Sequence, residues 1–186
     1  MSKKLASAPE PLYGFAAKRM DVFWRAFEDS SLMDTWWDGH AWVVNQLSVN
    51  PMASDPAPLY GFSPHRMDVF WKDPNGSLMD TWWNGHAWVV NQLSANPMAS
   101  GPKPLYGFAP NRMDVFWRAP NGSLMDTWWN GHAWAVNQLS ANHMASDPAP
   151  LYGFAPHRMD VFWKAHDGSL MDTWWNGNAW VVNKLS

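Results

Sequence analysis

Three features predict an all-β propeller of four near-identical, four-stranded blades: a 46-residue repeat, short strands with apolar residues on both faces, and an Asn-Gly or Asp-Gly turn in every copy. The repeat is plainest at 78–94, LMDTWWNGHAWVVNQLS, which returns at 124–140 with one change, Val89 to Ala135. Related versions stand at 32–48 and 170–186, and the pairs Trp36-Trp37, Trp82-Trp83, Trp128-Trp129 and Trp174-Trp175 mark the phase. A single copy cannot bury its own apolar faces, so neighbouring copies must cover them.

The amino end is already repeat. Set beside 51–62, PMASDPAPLYGF, residues 3–15, KKLASAPEPLYGF, bring Leu5 into phase with Met52, and Tyr13 with Tyr60. Ser186 has the phase of Ser48, Ser94 and Ser140. One repeat domain over 1–186 is expected, with blades at about 3–48, 49–94, 95–140 and 141–186. A near-whole number of periods suits a ring whose last unit meets its first, and the distinct polar caps of an open solenoid are not visible.

Within the second copy, a short aromatic strand at 58–62 is followed by a turn at Pro64-His65. Residues 66–72, RMDVFWK, then place Met67, Val69 and Trp71 on one face, with Arg66, Asp68, Phe70 and Lys72 on the other. A turn at Asn75-Gly76, a strand at 77–83, a second turn at Asn84-Gly85 and a strand at 88–93 complete the copy. Both dipeptides are expected to supply the positive φ angles of a tight hairpin. Helix is a poor alternative, because Gly, Pro and Asn-Gly interrupt each window before three turns can form. A trefoil uses three copies, and a parallel β-helix needs a shorter period without hairpins.

Composition narrows the function. Sixteen Trp residues supply large flat faces, each with one N–H donor, suited to a packed interior and to a ligand platform alike. A net charge of −3 with no basic stripe gives no reason to expect nucleic acid. The absence of Cys rules out disulfides and thiol chemistry and fits a reducing compartment. Lys3 and Lys4 are not followed by the apolar run of a secretory signal, which points to cytoplasmic synthesis or signal-independent release. No segment approaches the roughly 20 apolar residues of a membrane span.

The run RMDVFWRAPNGSLMDTWWNGHAW at 112–134 resembles the repeat of the bacterial propeller lectins typified by the fucose-binding lectin of Photorhabdus. Blades of that family have an Arg-Leu-Asp-Val-Phe strand, a turn, and a strand ending Trp-Trp-Asp/Asn-Gly before a further Trp. The resemblance covers all four copies and implies a sugar-binding propeller with sites repeated on or between its blades. Those lectins close seven blades in one chain. Four copies imply either a closed four-bladed ring or half of an eight-bladed homodimer, joined through the same self-complementary face that joins the copies.

Sugars lay C–H faces on aromatic rings and offer hydroxyls to planar polar groups. The expected platform is the second Trp of each pair and the Trp after the turn: Trp37 and Trp42, Trp83 and Trp88, Trp129 and Trp134, Trp175 and Trp180. The same Trp residues also suit the core between blades. Trp82 and Trp83, as strand neighbours, point to opposite faces and cannot both line one pocket formed by one face. His40, His86 and His132 occupy the turn and are replaced by Asn178 in the fourth copy, a change that suits a hydroxyl contact better than a general base or a metal ligand. The other His residues, 65, 143, 157 and 166, read as surface.

Arg19, Arg66, Arg112 and Arg158 are present in every copy, as are Asp21 and Asp34 and their equivalents. They either seat strands as ion pairs or hold sugar hydroxyls. Four equivalent carboxylate pairs offer no division of labour into acid and nucleophile, so no catalytic role is expected. The Asp73-Pro-Asn-Gly-Ser run lacks the acidic spacing of a calcium loop and reads as a turn, leaving no metal or cofactor expected. The sequence therefore points to a multivalent lectin for fucose or a related monosaccharide. The competing class is a symmetrical designed or recently duplicated propeller scaffold with no ligand.

Overall fold

A computed structural model of the chain describes residues 3–186 apart from 15, 17, 62–64, 108 and 110. Pro64 of the expected turn and Phe62 of the expected strand therefore lie outside the described residues. The chain forms two compact units, Met1–Ala95 and Asn96–Ser186. The first holds strands β1 (Glu10–Tyr13), β2 (Met20–Arg25), β3 (Leu32–Trp37) and β4 (Trp42–Ser48), then β5 (Ala57–Tyr60), β6 (Met67–Lys72), β7 (Leu78–Trp83) and β8 (Trp88–Ser94). The second holds β9 (Lys103–Tyr106), β10 (Met113–Arg118), β11 (Leu124–Trp129) and β12 (Trp134–Ser140), then β13 (Ala149–Tyr152), β14 (Met159–Lys164), β15 (Leu170–Trp175) and β16 (Trp180–Lys184).

Each group of four makes one antiparallel sheet in chain order, the arrangement of a propeller blade. The inner strands neighbour one another inside a unit, β1 beside β5 and β9 beside β13.

Alternation decides what each sheet face carries. Within the first unit, Phe23 and Leu32 of the first sheet pack against Met67, Val69 and Trp71 of the second, joined by Leu12, Trp88 and Val90. The second unit repeats this with Phe116 and Leu124 against Met159, Val161 and Trp163, joined by Leu105, Trp180 and Val182. In each unit the facing sides of the two sheets are thus apolar because each covers the other.

The buried indoles are fixed in orientation as well as in place. Trp117 Nε1 donates to Thr127 Oγ1 at 2.9 Å, and Trp71 does the same to Thr81 at 3.0 Å. Thr127→Val keeps the side-chain volume but leaves the Trp117 donor buried and unmet. A loss of about 1–3 kcal/mol is expected from chemical denaturation.

The hairpin turns differ from the expected form. Gly76 and Gly85 have positive φ, 90° and 99°, but the Asn before each does not, so these are not two-residue turns of the mirror-image type. Asn84 acts through its side chain: Oδ1 accepts the N–H groups of His86 and Ala87, both at 2.9 Å. The Asp73 run is a turn, as expected, with Asp73 Oδ1 accepting Ser77 N–H at 2.7 Å.

Candidate functional site

Antiparallel order puts the loop between the first two strands and the Trp-Trp hairpin at the same end of every sheet. The hairpin is closed by a cross-strand indole pair, because Trp83 stands opposite Trp88 in the register. Their rings are 5.8 Å apart, and the pairs Trp37–Trp42, Trp129–Trp134 and Trp175–Trp180 lie at 5.6, 5.8 and 5.8 Å. The expected Trp residues are thus brought together two by two. Part of their surface belongs to packing: Trp88 meets Phe23 edge-on at 6.1 Å, and Trp180 meets Phe116 at 6.0 Å. Trp42 is the exception, half exposed.

His40, His86, His132 and Asn178 are exposed at the hairpin tips. Each donates its backbone N–H to the Asp or Asn two residues earlier, at 2.7 Å for His40 and 2.9 Å for Asn178. That role needs no imidazole, so the change to Asn178 preserves the turn. In the first copy these backbone donors, Ala41 first and His40 second, hold the Asp38 carboxyl below the usual carboxylate range.

The four Arg residues lie on the opposite sheet face from Trp83 and its equivalents, over the first Trp of each pair. The Arg112 guanidinium carbon is 4.2 Å from the Trp128 ring centroid, with the same distance for Arg66 over Trp82 and Arg158 over Trp174. Arg112 Nε is 2.9 Å from Asp114 Oδ2, Nη2 is 2.5 Å from Oδ1, and Asp126 Oδ2 lies 3.8 Å from Nη2. Asp114 and Asp126 are fully buried. Of the two roles open to these groups, the geometry is that of an ion pair seating β10 against β11.

Glycine makes room for this stack. A Cβ on Gly107 would overlap Cγ of Arg112 and fall 2.5 Å from its Cβ. Gly107→Ala is expected to displace the guanidinium from Trp128 and to cost about 1–3 kcal/mol by overpacking. The measurement is thermal or denaturant unfolding, with Gly131→Ser, which has open space but a φ of 98°, as the contrasting backbone case.

In the fourth copy this end of the sheet encloses a cavity of 160 Å³. It is lined by Ala155, Pro156, His157, Arg158, Trp174, Trp175, Asn176 and Gly177. Two expected site residues, Arg158 and Trp175, meet there, while Trp180 and Asn178 are not in its wall. Trp174 and Trp175 both line it, although strand neighbours are expected not to share a pocket formed by one face: this cavity sits at the end of the sheet, against the loops, and not on a single face. Asn176 and His157 are not among the residues expected from sequence, where His157 reads as surface. A signal for His157 existed, since Lys18, His65 and Asn111 hold the same place before the Arg, and all four have φ near 60°.

No family model and no curated protein sequence matches the chain. Solved structures do. A lectin of Burkholderia pseudomallei, BP39L, superposes with a TM-score of 0.70 at 22% identity, over 97% of this chain and 56% of that one. AofleA of Arthrobotrys oligospora gives 0.69 at 15%, over 97% and 57%. The lectin of Aleuria aurantia, described as a six-bladed β-propeller with a novel fucose recognition mode, gives 0.63 at 17%, over 89% and 55%. The fold is that of the β-propeller lectins. This chain spans just over half the length of each of those three proteins.

Proposed function

We propose that the chain is a multivalent carbohydrate-binding protein that takes fucose or a related monosaccharide of glycans at the Trp-Trp ends of its blades. The observation that carries this reading is the cavity of the fourth copy, where an indole wall, an amide and a guanidinium converge on a space of 160 Å³. Aromatic faces suit sugar C–H groups, and planar donors and acceptors suit hydroxyls. The likeness to lectins and the Photorhabdus-like repeat support the same ligand class. Several weak equivalent sites on one body raise avidity for clustered glycans. Binding rather than catalysis is the reading, since in every copy one carboxylate of the pair is clamped by Arg and the other is buried behind it.

Trp fluorescence titrated with monosaccharides, fucose first, tests this. Quenching or enhancement that saturates, and that falls in Trp175→Ala, is the expected result. A folded sample that meets no sugar on a glycan array would favour the ligand-free scaffold instead.

The partner for the uncovered sheet faces is a second copy of this chain. In the first unit Met20 is 39% and Val44 57% exposed, whereas Met67 in the second sheet is fully buried. In the second unit Leu151, Leu170 and Leu185 are exposed, although Leu12, Leu32 and Leu47 at the same phase belong to the packed core. These two faces are the two halves of the interface already made inside each unit, so one copy offers what another needs. Light scattering is expected to give a mass of twice 21.2 kDa. A mass of one chain, unchanged on dilution, would remove the homodimer.

A further inference from the structure

A second cavity lies at the other end of the third sheet, away from the Trp-Trp hairpin. It measures 330 Å³ and sits among the β10–β11 hairpin, the segment entering the copy at Asn96-Pro97, and Gln138 on β12. Met125 stands opposite Gln138 in the register and opposite Trp117 on its other side, so the pairing itself brings these three side chains to one face. Asn121 closes the hairpin with Oδ1, which accepts Ser123 N–H at 3.0 Å, and this leaves its amide NH₂ directed elsewhere. The lining holds three amide side chains and the apolar surfaces of Pro97, Pro120, Trp117 and Met125, with no Asp, Glu, Lys, Arg or His.

The other copies show what this place does with a polar group. In the first copy Lys3 Nζ occupies it, donating to Asp29 Oδ2 at 2.7 Å, Ser31 Oγ at 3.0 Å and Gln46 Oε1 at 3.1 Å. Asp29 and Gln46 are the equivalents of Asn121 and Gln138. In the fourth copy Lys184 replaces the Gln and bridges to Asp167 at 3.1 Å, where Asp167 replaces the Asn. An ammonium fills the position in both terminal copies, while the third copy keeps neutral amides around open space.

We propose that this cavity of the third copy is a second ligand site, set by its amide lining, for a neutral pyranose with one apolar edge. Amides donate and accept toward hydroxyls without selecting a charge, which a neutral sugar requires and an ionic ligand would not. The Pro, Met and indole surfaces take the apolar edge, and the volume admits one ring but not an extended chain. The ligand class rests on the lectin reading, but the site and its residues do not.

The experiment follows side-chain amide and indole N–H resonances of nitrogen-15-labelled protein during titration with L-fucose, D-mannose and D-galactose. Asn121→Asp/Gln138→Lys installs the residue pair of the fourth copy, a replacement the fold already accommodates, and also assigns the two amide signals by their loss. The expected result is a saturable shift of the Asn121 and Gln138 amides. In the double variant, the Trp117 indole beside this cavity loses its response, while the indoles of the Trp-Trp ends keep theirs. Amides that stay still with all three sugars while the Trp-Trp indoles respond would overturn this site and leave the lectin reading standing. Amides that respond while those indoles stay still would support this site and remove the other. No response anywhere would overturn both.

Discussion

Arg112→Met is expected to cost about 3–5 kcal/mol of folding stability at neutral pH, more than any other single surface-facing substitution discussed above. Arg112 is the counter-charge of Asp114, a carboxylate with no exposure to solvent. Removing the guanidinium leaves that charge buried against Trp128 and Asp126 without a cation, and methionine supplies only the volume. The loss should belong to the pair rather than to packing. Arg112→Met/Asp114→Asn is therefore expected to recover most of it, giving a coupling energy well above the level of about 1 kcal/mol typical of exposed pairs. Arg112→Lys should fall between, because a single ammonium cannot meet both carboxylate oxygens and stack on the indole together. Denaturant unfolding of the parent, Arg112→Met, Asp114→Asn, the double variant and Arg112→Lys decides it. A single-variant loss below about 1 kcal/mol would mean that the charge is not confined as the geometry requires.

The period, the strand order and the two sheet faces were legible in the sequence because each depends on a local rule. Alternation assigns Met67, Val69 and Trp71 to one side and Phe70 to the other, and the structure places them so. The ion pair of Arg112 with Asp114 was legible as one of two roles, since residues two apart on a strand share a face. What remained hidden depends on contacts that no local rule reaches. The turn at Asn84 rests on side-chain acceptance of two N–H groups rather than on its own backbone angles. The cavity beside Gln138 depends on a shift in register between Leu124 and Met125, which pairs Leu124 with Ser140 and Met125 with Gln138. That bulge skips Leu139 and brings Gln138 over the hairpin. Nothing in a run of alternating residues marks such a shift. His157 escaped because histidine was weighed by its recurrence among copies, whereas its place is set by a backbone angle that Lys18, His65 and Asn111 adopt equally.

Stability is expected to be greatest in mild acid and to decline toward alkaline pH, the reverse of what salt-bridged carboxylates usually give. Burial first, and the charge of Asp21 second, push the Asp34 carboxyl up to about 8 from an ordinary value of 3.8. Burial first, and the neighbouring Asp160, Asp68 or Asp114 second, push Asp172 up to about 6 and hold Asp80 and Asp126 well above the usual range. An acid whose pKa is raised by folding binds its proton more tightly in the native state. Its stabilising contribution is therefore full below 3.8 and is lost as pH rises through the folded value. For Asp34, which is wholly buried, the loss between mild acid and pH about 9 is on the order of a few kcal/mol. The lower limit is set by Asp29, held down to about 2 by Lys3 first and Ser31 second, whose contribution disappears only below the ordinary carboxylate range. Asp34→Asn provides the check, since an amide keeps a donor toward Asp21 and has no proton to lose. Its unfolding free energy should vary less between pH about 4 and about 9 than that of the parent chain, with the two proteins converging in acid and the variant ahead in alkali. Parallel pH profiles for parent and variant would show that Asp34 is ionised in the native state throughout, and that Arg19 serves both carboxylates rather than Asp21 alone.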